Sequence, residues 1–290
     1  MDKLIDMHMH TNYSDGEFDP MDLIRKAINA NVGVMAITDH DTLNGAKKVD
    51  RSAFFIRASG IKVVNGIEIT CQASKGTMHV LGYDIDLDNQ DLNEKLMEIK
   101  ADRVYATLSV MEQIRRDYDI TFSYDDIAAL INSNHIGRPN LARLCIKYGF
   151  CETVDEAFDW YLTPAKRKIQ GLNHHISFPD CFKLIKDSGG LVVLAHPKTL
   201  RLEDDELDSL ICQMKECGLD GIEIYNSIHS MDDVYRYDQL ARKYDLLISG
   251  GTDYHGPTVK PLIEIGTGMN HNIKIKRLSL VDELKRRGTI

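Results

Sequence analysis

The sequence has no run of 18 apolar residues, so no segment is long enough to cross a bilayer as a helix. Its opening, Met-Asp-Lys-Leu-Ile-Asp-Met-His, lacks an apolar core of signal-peptide length, and the chain is expected to stay in the cytoplasm. Cysteine is sparse. Cys71, Cys145, Cys151, Cys181, Cys212 and Cys217 form no Cys-x-x-Cys pair, which argues against a disulfide framework or a thiolate zinc site and suits reduced, mostly buried thiols. Basic charge is short as well: 35 Lys plus Arg stand against 44 Asp plus Glu in 290 residues, a formal charge of −9. An extended nucleic-acid surface needs a basic face, so none is expected here, and any phosphate ligand must find positive charge supplied locally. With 43% hydrophobic and 27% charged residues, and no internal repeat, the composition is that of a folded globular chain.

What is present is an alternation of short apolar runs with amphipathic stretches of helical length, the pattern of parallel strands joined by crossover helices. The first strand is Leu4-Ile-Asp-Met. Asp19-Pro20 with Asp22 opens a helix whose Leu23, Ile24, Ala27 and Ile28 form one apolar face. Val34 to Thr38 is the second strand, and Asn44 to Ala58 a helix. A third strand runs from Ile61 to Ile69, interrupted by Gly66. After a turn at Gly76-Thr77, Met78 to Tyr83 returns as the fourth. From about Asp91 to Gly171 the strand signal vanishes, and Leu92, Leu96, Ile99, Leu108, Met111 and Ile114 recur at helical spacing. Further helices are expected after Ser123, over Pro139–Tyr148 and over Val154–Leu162. Strands resume at Leu191–Ala195, Gly221–Tyr225 and Leu246–Gly250, and Ser177 with Asp180 caps a helix that Gly189-Gly190 ends. The expected organisation is an α/β barrel, closed or nearly so, from residues 1–90 and 172–290, with an all-helical insertion over residues 91–171. In a barrel the C-terminal strand ends converge on one site.

The imidazoles and carboxylates fall at those ends. His8 and His10 follow strand one at alternate positions, with Asp15 in the turn Ser14-Asp15-Gly16. Asp39-His40-Asp41 follows strand two, and Glu68 ends strand three. His79 opens the return strand, His196 follows the next, and Asp253-Tyr254-His255 follows the last. One such His is more often a hydrogen-bonded loop residue than a ligand. Nine nitrogen and oxygen donors at successive strand ends, with no thiolate, exceed one tetrahedral site and suit two or three ions of the zinc, manganese or iron kind. His135, His174, His175 and His271 lack such placement and read as loop residues.

These motifs as a set, His8-Met9-His10-Thr11, Ile37-Thr38-Asp39-His40-Asp41-Thr42, Gly66-Ile67-Glu68-Ile69, His79-Val80-Leu81-Gly82-Tyr83, Ala195-His196-Pro197 and Gly251-Thr252-Asp253-Tyr254-His255, resemble those of the PHP (polymerase and histidinol phosphatase) family, in the same order and over almost the whole chain. The nucleotide-phosphatase branch, which carries a helical insertion, is the most similar. The resemblance implies a distorted (β/α)7 TIM-like barrel, with the insertion as a substrate cap. It also implies a trinuclear site: one metal on His8, His10, Glu68 and Asp253, a second on Glu68, His79 and His196, and a third on Asp15, His40 and His255. Glu68, Asp253 and His196 are assigned the catalytic role. Asp39 is expected to orient a histidine ligand from behind. Three ligand carboxylates against three divalent ions leave a local positive field, in which a metal-bridging hydroxide attacks phosphorus without a covalent Ser or Cys nucleophile.

The same resemblance makes Arg138 in Gly137-Arg138-Pro139 a phosphate contact; Arg143, Lys198, Arg201 and His229 are further substrate-side candidates. Two stretches depart from the family pattern: Asn140 stands where His is usual, and Thr163 to Gln170 replaces a Gly-rich, proline-containing segment. Both touch the substrate side rather than the metals. The basic run Lys166-Arg167-Lys168 reads as a solvated helix end or a second phosphate contact. The expected activity is hydrolysis of small phosphomonoesters, nucleoside 5′-monophosphates or 3′,5′-bisphosphates foremost. Alternatives are 5′-to-3′ exonuclease action on short RNA, histidinol-phosphate phosphatase activity, and a non-catalytic sensor of phosphorylated ligands.

Overall fold

The computed structural model describes residues 3–50, 56, 58–133, 136–169 and 175–290. His135, His174, the end of the insertion at Gly171 and residues 51–55 and 57 of the helix expected over Asn44–Ala58 lie outside the described residues. The chain divides into two compact units, Met1–Asn93 with His175–Ile290, and Glu94–His174. Its elements begin with β1 (Leu4–Asp6), α1 (Pro20–Asn29), β2 (Val32–Ile37), α2 (Asn44–Asp50), β3 (Lys62–Cys71) and β4 (Met78–Tyr83). Then come α3 (Gln90–Tyr118), α4 (Tyr124–Ile131), α5 (Arg138–Lys147), α6 (Val154–Ala157) and α7 (Thr163–Lys168). The rest are α8 (Phe178–Asp187), β5 (Leu191–Leu194), α9 (Asp204–Glu216), β6 (Gly221–Asn226), α10 (Met231–Lys243), β7 (Leu247–Gly251), β8 (Ile263–Glu264), β9 (Gly268–Met269) and α11 (Ser279–Arg286).

The first unit is an α/β fold on a seven-stranded sheet in sequential order β1 to β7. β1, β2 and β3 are parallel, as are β5, β6 and β7; β4 runs antiparallel to both its neighbours. The sheet nearly closes. The Met7 amide donates to Gly250 O at 3.1 Å, the Asp253 amide to His8 O at 2.8 Å and the His10 amide to Tyr254 O at 2.9 Å. At the other end of β1 the C-terminal segment fills the seam, where the Ile5 amide donates to Ile275 O.

Side-chain alternation sorts the strands' residues into two cores. Ile5, Ala36, Val64, Leu81 and Val193, one from each of β1 to β5, meet in one cluster. Leu4, Met35 and Ile37 instead join Leu23, Ile24 and Ala27 of α1. That helix starts where the sequence signals it: the Asp19 side chain accepts from the Met21 amide at 3.0 Å and Pro20 occupies the first turn. Fully burying Leu23 and Ile24 contributes about 1.5–3 kcal/mol each.

Two expectations are corrected. Gly66 does not interrupt β3; it marks a change of partner. Residues 62–65 pair with β2 and residues 66–71 with β4. A Cβ at Gly66 would meet the carbonyls of Gly82 and Ile37 at 3.0 and 3.1 Å, so a side chain at the crossover point would crowd the backbone of both partners. Consequently Glu68 lies inside β3, not at its end, although it is past the last residue paired with β2. Val154–Leu162 is helical as expected, the α-helical turn of α6 passing into a π-helical turn over Phe158–Leu162 before α7.

The second unit is helical, packed around Val110, Ile114, Leu141, Ala142, Leu162 and Ala165. No helix among the described residues is long and apolar enough to cross a membrane. All six cysteines are free; Cys71, Cys145, Cys151 and Cys181 are buried.

Candidate metal centre

The nine donors reach one place for reasons legible in the strands. His8 and His10 lie just past β1, with Met9 between them bridging Tyr254. The chain then doubles back so tightly that a Cβ at Gly16 would fall on the His10 carbonyl, and this turn presents Asp15. His40 follows β2 and bridges Glu68. Because β4 is reversed, its beginning, with His79, lies at the end of the sheet where the parallel strands finish. His196 follows β5, and Asp253 and His255 follow β7.

Glu68 is fully buried at the centre. Its Oε2 stands 3.2 Å from His8 Nε2, from His10 Nε2 and from His40 Nδ1. Its Oε1 stands 2.8 Å from His79 Nδ1 and 2.9 Å from His196 Nε2. One carboxylate therefore addresses two sets of imidazoles. Asp253 Oδ1 lies 3.2 Å from His10 Nε2 and 3.6 Å from His8 Nε2. Asp15 Oδ1 lies 3.2 Å from His255 Nε2. Among the described residues, three groups have donor atoms mutually within 4.8 Å: His8, His10, Glu68 and Asp253; His40, Glu68 and His79; and His10, Asp15, His40 and His255.

These residues fit metal ions better than they fit each other. His8 Nε2, His10 Nε2, Asp15 Oδ1 and Glu68 Oε2 are buried yet make no hydrogen bond, despite neighbours near 3.2 Å. An unpaired buried polar atom costs about 1–3 kcal/mol, so four in one cluster, Glu68 Oε2 with two imidazole nitrogens 3.2 Å away among them, call for shared partners. A divalent cation satisfies such lone pairs together, and an N/O donor set suits zinc, manganese or iron.

Behind the donors the rings are held from their far sides. His8 Nδ1 lies 2.9 Å from Glu223 Oε1, His196 Nδ1 3.1 Å from Thr199 Oγ1, and His255 Nδ1 2.9 Å from Asp253 O. Glu223, fully buried on β6, also accepts from the His196 amide at 2.7 Å and Asn226 Nδ2 at 3.0 Å. It ties ligands from two strands together, and sequence reasoning missed it. The signal was available: a Glu between Ile222 and Ile224 in a buried strand needs a partner. Asp6 was missed likewise. Fully buried, it accepts from the Thr252 amide and hydroxyl and the Gly266 amide, fixing the approach to Asp253, and burial raises its carboxyl to about 6. Asp39 does not touch a ring as expected. It accepts from the Thr11 amide and hydroxyl and from Ser14 Oγ at 2.6 Å, and Ser14 Oγ is 3.4 Å from His10 Nδ1.

Burial disfavours charge on His8, His10, His40, His255, Glu68, Asp15 and Asp253, and their neighbours then decide. For His8 burial is outweighed by Glu223, Glu68 and Asp253, and its pKa rises well above the usual value; His10 rises to about 9 through Asp253 and Glu68. His40 and His255 are pushed down by burial and by neighbouring imidazoles. Despite burial, Glu68 and Asp15 are held well below the usual carboxylate range by the imidazoles around them, and Asp253 by Lys260 and then by His255 and His8.

The substrate-side candidates are scattered. In the first unit, Lys198 Nζ is engaged by Asp233 at 2.6 Å. Arg201 is exposed. His229 is buried, with Nδ1–H donating to Ile224 O at 2.7 Å and its ring against Tyr237. His175 and His271 are exposed. In the helical unit, Arg138 opens α5 with its guanidinium 5.5 Å from the Phe158 ring, and burial lowers its pKa. Lys166 is lowered by burial and then by Arg138, so the two cations are neighbours. Arg143 is exposed, and Lys168 is paired with Asp117 at 2.9 Å.

The sequence matches the PHP domain over residues 6–173. It is 27% identical to a 5′-3′ exoribonuclease of Haemophilus influenzae across 98% of this chain and 97% of that one. It is 28% identical to a 3′,5′-nucleoside bisphosphate phosphatase of Chromobacterium violaceum across 87% of each. Among solved structures it resembles an amidohydrolase from Chromobacterium violaceum with bound sulfate and no metal, with a TM-score of 0.80 and 26% identity over 98% of this chain and 96% of that one.

Proposed function

This chain belongs to the PHP domain family, and on that premise we propose that it is a metal-dependent phosphoesterase of small phosphorylated metabolites, with nucleoside 5′-monophosphates or 3′,5′-bisphosphates as substrates. The observation that carries the proposal is the convergence of six imidazoles and three carboxylates on one buried volume, into which His8 Nε2, His10 Nε2, Asp15 Oδ1 and Glu68 Oε2 point without a hydrogen bond. The proposed cofactors are three divalent ions of the zinc, manganese or iron kind. His8, His10, Glu68 and Asp253 would hold one, Glu68, His79 and His196 another, and Asp15, His40 and His255 the third. Bound ions of this kind polarise phosphoryl oxygens and lower the pKa of water.

The protein's own residues perform the rest. Glu68 spreads one carboxylate across two ligand sets, and Glu223 fixes the tautomer of His8 so that Nε2 keeps its lone pair. With the donors supplying the nucleophile's surroundings, no Ser or Cys is assigned a covalent role. On the substrate side, residues 91–171 are proposed as the cap. Arg138 is its phosphate fork, and neighbouring Lys166 adds charge. Arg143 and Arg201, both exposed, and His229, whose buried Nε2 has no hydrogen bond, are further proposed phosphate contacts, whereas Lys198 is paired with Asp233. The proposed place of action is the cytoplasm, where free thiols such as these stay reduced.

The test is phosphate release from AMP, adenosine 3′,5′-bisphosphate, histidinol phosphate and sugar phosphates, using chelator-stripped protein resupplied with Mn²⁺, Zn²⁺ or Fe²⁺. Activity that depends on added metal and is lost in His10→Ala supports the proposal; full activity in stripped protein or in His10→Ala overturns it. A second reading, 5′-to-3′ exonuclease action on short RNA, is favoured by the match to the exoribonuclease along nearly the whole of both chains. Mononucleotides released from a 5′-phosphorylated oligomer faster than phosphate from a bisphosphate would select it.

A further inference from the structure

In sequence Lys260 is only a lysine in the loop after Asp253-Tyr254-His255. In the fold its ammonium lies 2.6 Å from Asp253 Oδ2 and 3.5 Å from the carbonyl oxygen of the same residue. The other carboxylate oxygen points elsewhere: Oδ1 is 3.2 Å from His10 Nε2, 3.5 Å from His255 Nδ1 and 3.6 Å from His8 Nε2. The two oxygens of Asp253 are thus divided between the imidazole cluster and a lysine.

Asp253 also needs holding. Its φ of 55° is left-handed, an unusual conformation for a residue other than glycine, and such strain persists only when surrounding contacts over-determine it. The contacts are its amide on His8 O at 2.8 Å, its carbonyl accepting from His255 Nδ1 at 2.9 Å, and Lys260 bridging main chain and side chain. The loop carrying Lys260 is itself anchored. The amides of Val259 and Lys260 both donate to Gly256 O, and Glu17 Oε2 accepts from the Thr258 amide at 3.1 Å and hydroxyl at 3.0 Å. With the Lys260 side chain 34% exposed and Asp253 11%, this pair is more sheltered than an ordinary surface ion pair.

We propose that Lys260 is a positioning residue: it holds Asp253 Oδ2 so that Oδ1 alone serves a divalent cation shared with His8, His10 and Glu68. This rests on the metal-centre reading above. The alternative consequence of an ammonium near a cation is repulsion, which would weaken ion binding. The two effects have opposite signs, so one measurement separates them.

The experiment compares wild type, Lys260→Met and Lys260→Arg, stripped with chelator and titrated with Zn²⁺ or Mn²⁺ in competition with a chromophoric chelator. Co²⁺ absorption spectra report the coordination geometry, and the metal-free thermal midpoint is a check on folding. Lys260→Met should bind one ion about 10- to 100-fold more weakly, with an altered Co²⁺ band, and Lys260→Arg should recover most of that loss. Unchanged or tighter binding in Lys260→Met, or no recovery in Lys260→Arg, overturns the proposal. If the wild-type protein binds no ion, the metal centre itself fails and the proposal with it, a result distinct from a wild type that binds and a variant that binds equally well.

Discussion

Replacing Glu223 by Gln changes one atom of a buried side chain, and its consequence can be worked from three contacts. The carboxylate accepts on both oxygens: Oε1 faces His8 Nδ1 at 2.9 Å, and Oε2 takes the His196 amide at 2.7 Å and Asn226 Nδ2 at 3.0 Å. A glutamine accepts on one oxygen only. If its oxygen serves His196 and Asn226, its NH₂ faces His8 and makes Nδ1 the acceptor. The ring proton then sits on Nε2, the atom 3.2 Å from Glu68 Oε2, and that nitrogen is no longer a ligand. If the amide turns the other way, NH₂ meets the His196 N–H and displaces the segment carrying that ligand. Either way one of two ligands is lost, along with a charge-assisted hydrogen bond worth about 1.5–3 kcal/mol. Ion affinity should fall by about 10- to 100-fold. Turnover should fall with it at limiting metal and recover as metal is raised. Ion titration of stripped protein, read beside phosphate release at increasing metal, makes the measurement, with far-ultraviolet circular dichroism as the folding control. Wild-type ion affinity in a folded Glu223→Gln protein would refute the reasoning.

Glu68→Gln removes the charge that five imidazoles face, and should cut turnover by at least about 100-fold and lower the bound-metal content found by elemental analysis. Full metal content in the variant would show that Glu68 is not shared between ligand sets. Asp233 gives a pH prediction away from the centre. Burial alone would raise its carboxyl, but Lys198 and the Ser230 amide and hydroxyl outweigh it and hold it at about 2. A depressed carboxyl contributes stability above its unfolded pKa of about 4, and loses it as pH falls towards 2. The thermal midpoint of Asp233→Asn should therefore lie below wild type at pH 6, with the gap closing between pH 4 and pH 2. A gap independent of pH would contradict the assignment.

The candidate ligands, which the fold brings together, were legible in the sequence because two independent periodicities coincide there. Apolar runs of strand length mark where each strand stops, and His, Asp and Glu recur at those stops. The layer behind them was not legible. Glu223 and Asp6 sit inside apolar runs, where a sequence pattern records an exception but not its partner; their partners, His8 and Thr252, lie on strands far along the chain. Lys260 is chemically ordinary until the fold sets it against Asp253. His229 shows the converse. Its position after β6 resembles that of a ligand, but among the described residues it joins none of the three donor groups: its ring packs against Tyr237 and its Nδ1–H is committed to the Ile224 carbonyl, which no spacing rule foretells. Gly66 was read as a break because glycine weakens strands, whereas here the strand needs glycine where it exchanges one partner for another.

The chain's acidity and its proposed substrate are reconciled only through this second layer. With Glu223 added to Asp15, Glu68 and Asp253, four carboxylates stand in or against the cluster and one ammonium, Lys260, opposes them; without ions, only protons on rings such as His8 and His10 offset the rest. Protons on the imidazoles could neutralise the carboxylates, but each proton placed on a ring nitrogen facing Glu68 consumes the lone pair that makes the residue a ligand. Divalent cations neutralise the same carboxylates through those lone pairs and bring surplus charge besides. A net charge of −9 therefore does not bar an anionic substrate. It makes recognition of that substrate at the strand ends conditional on the proposed ions.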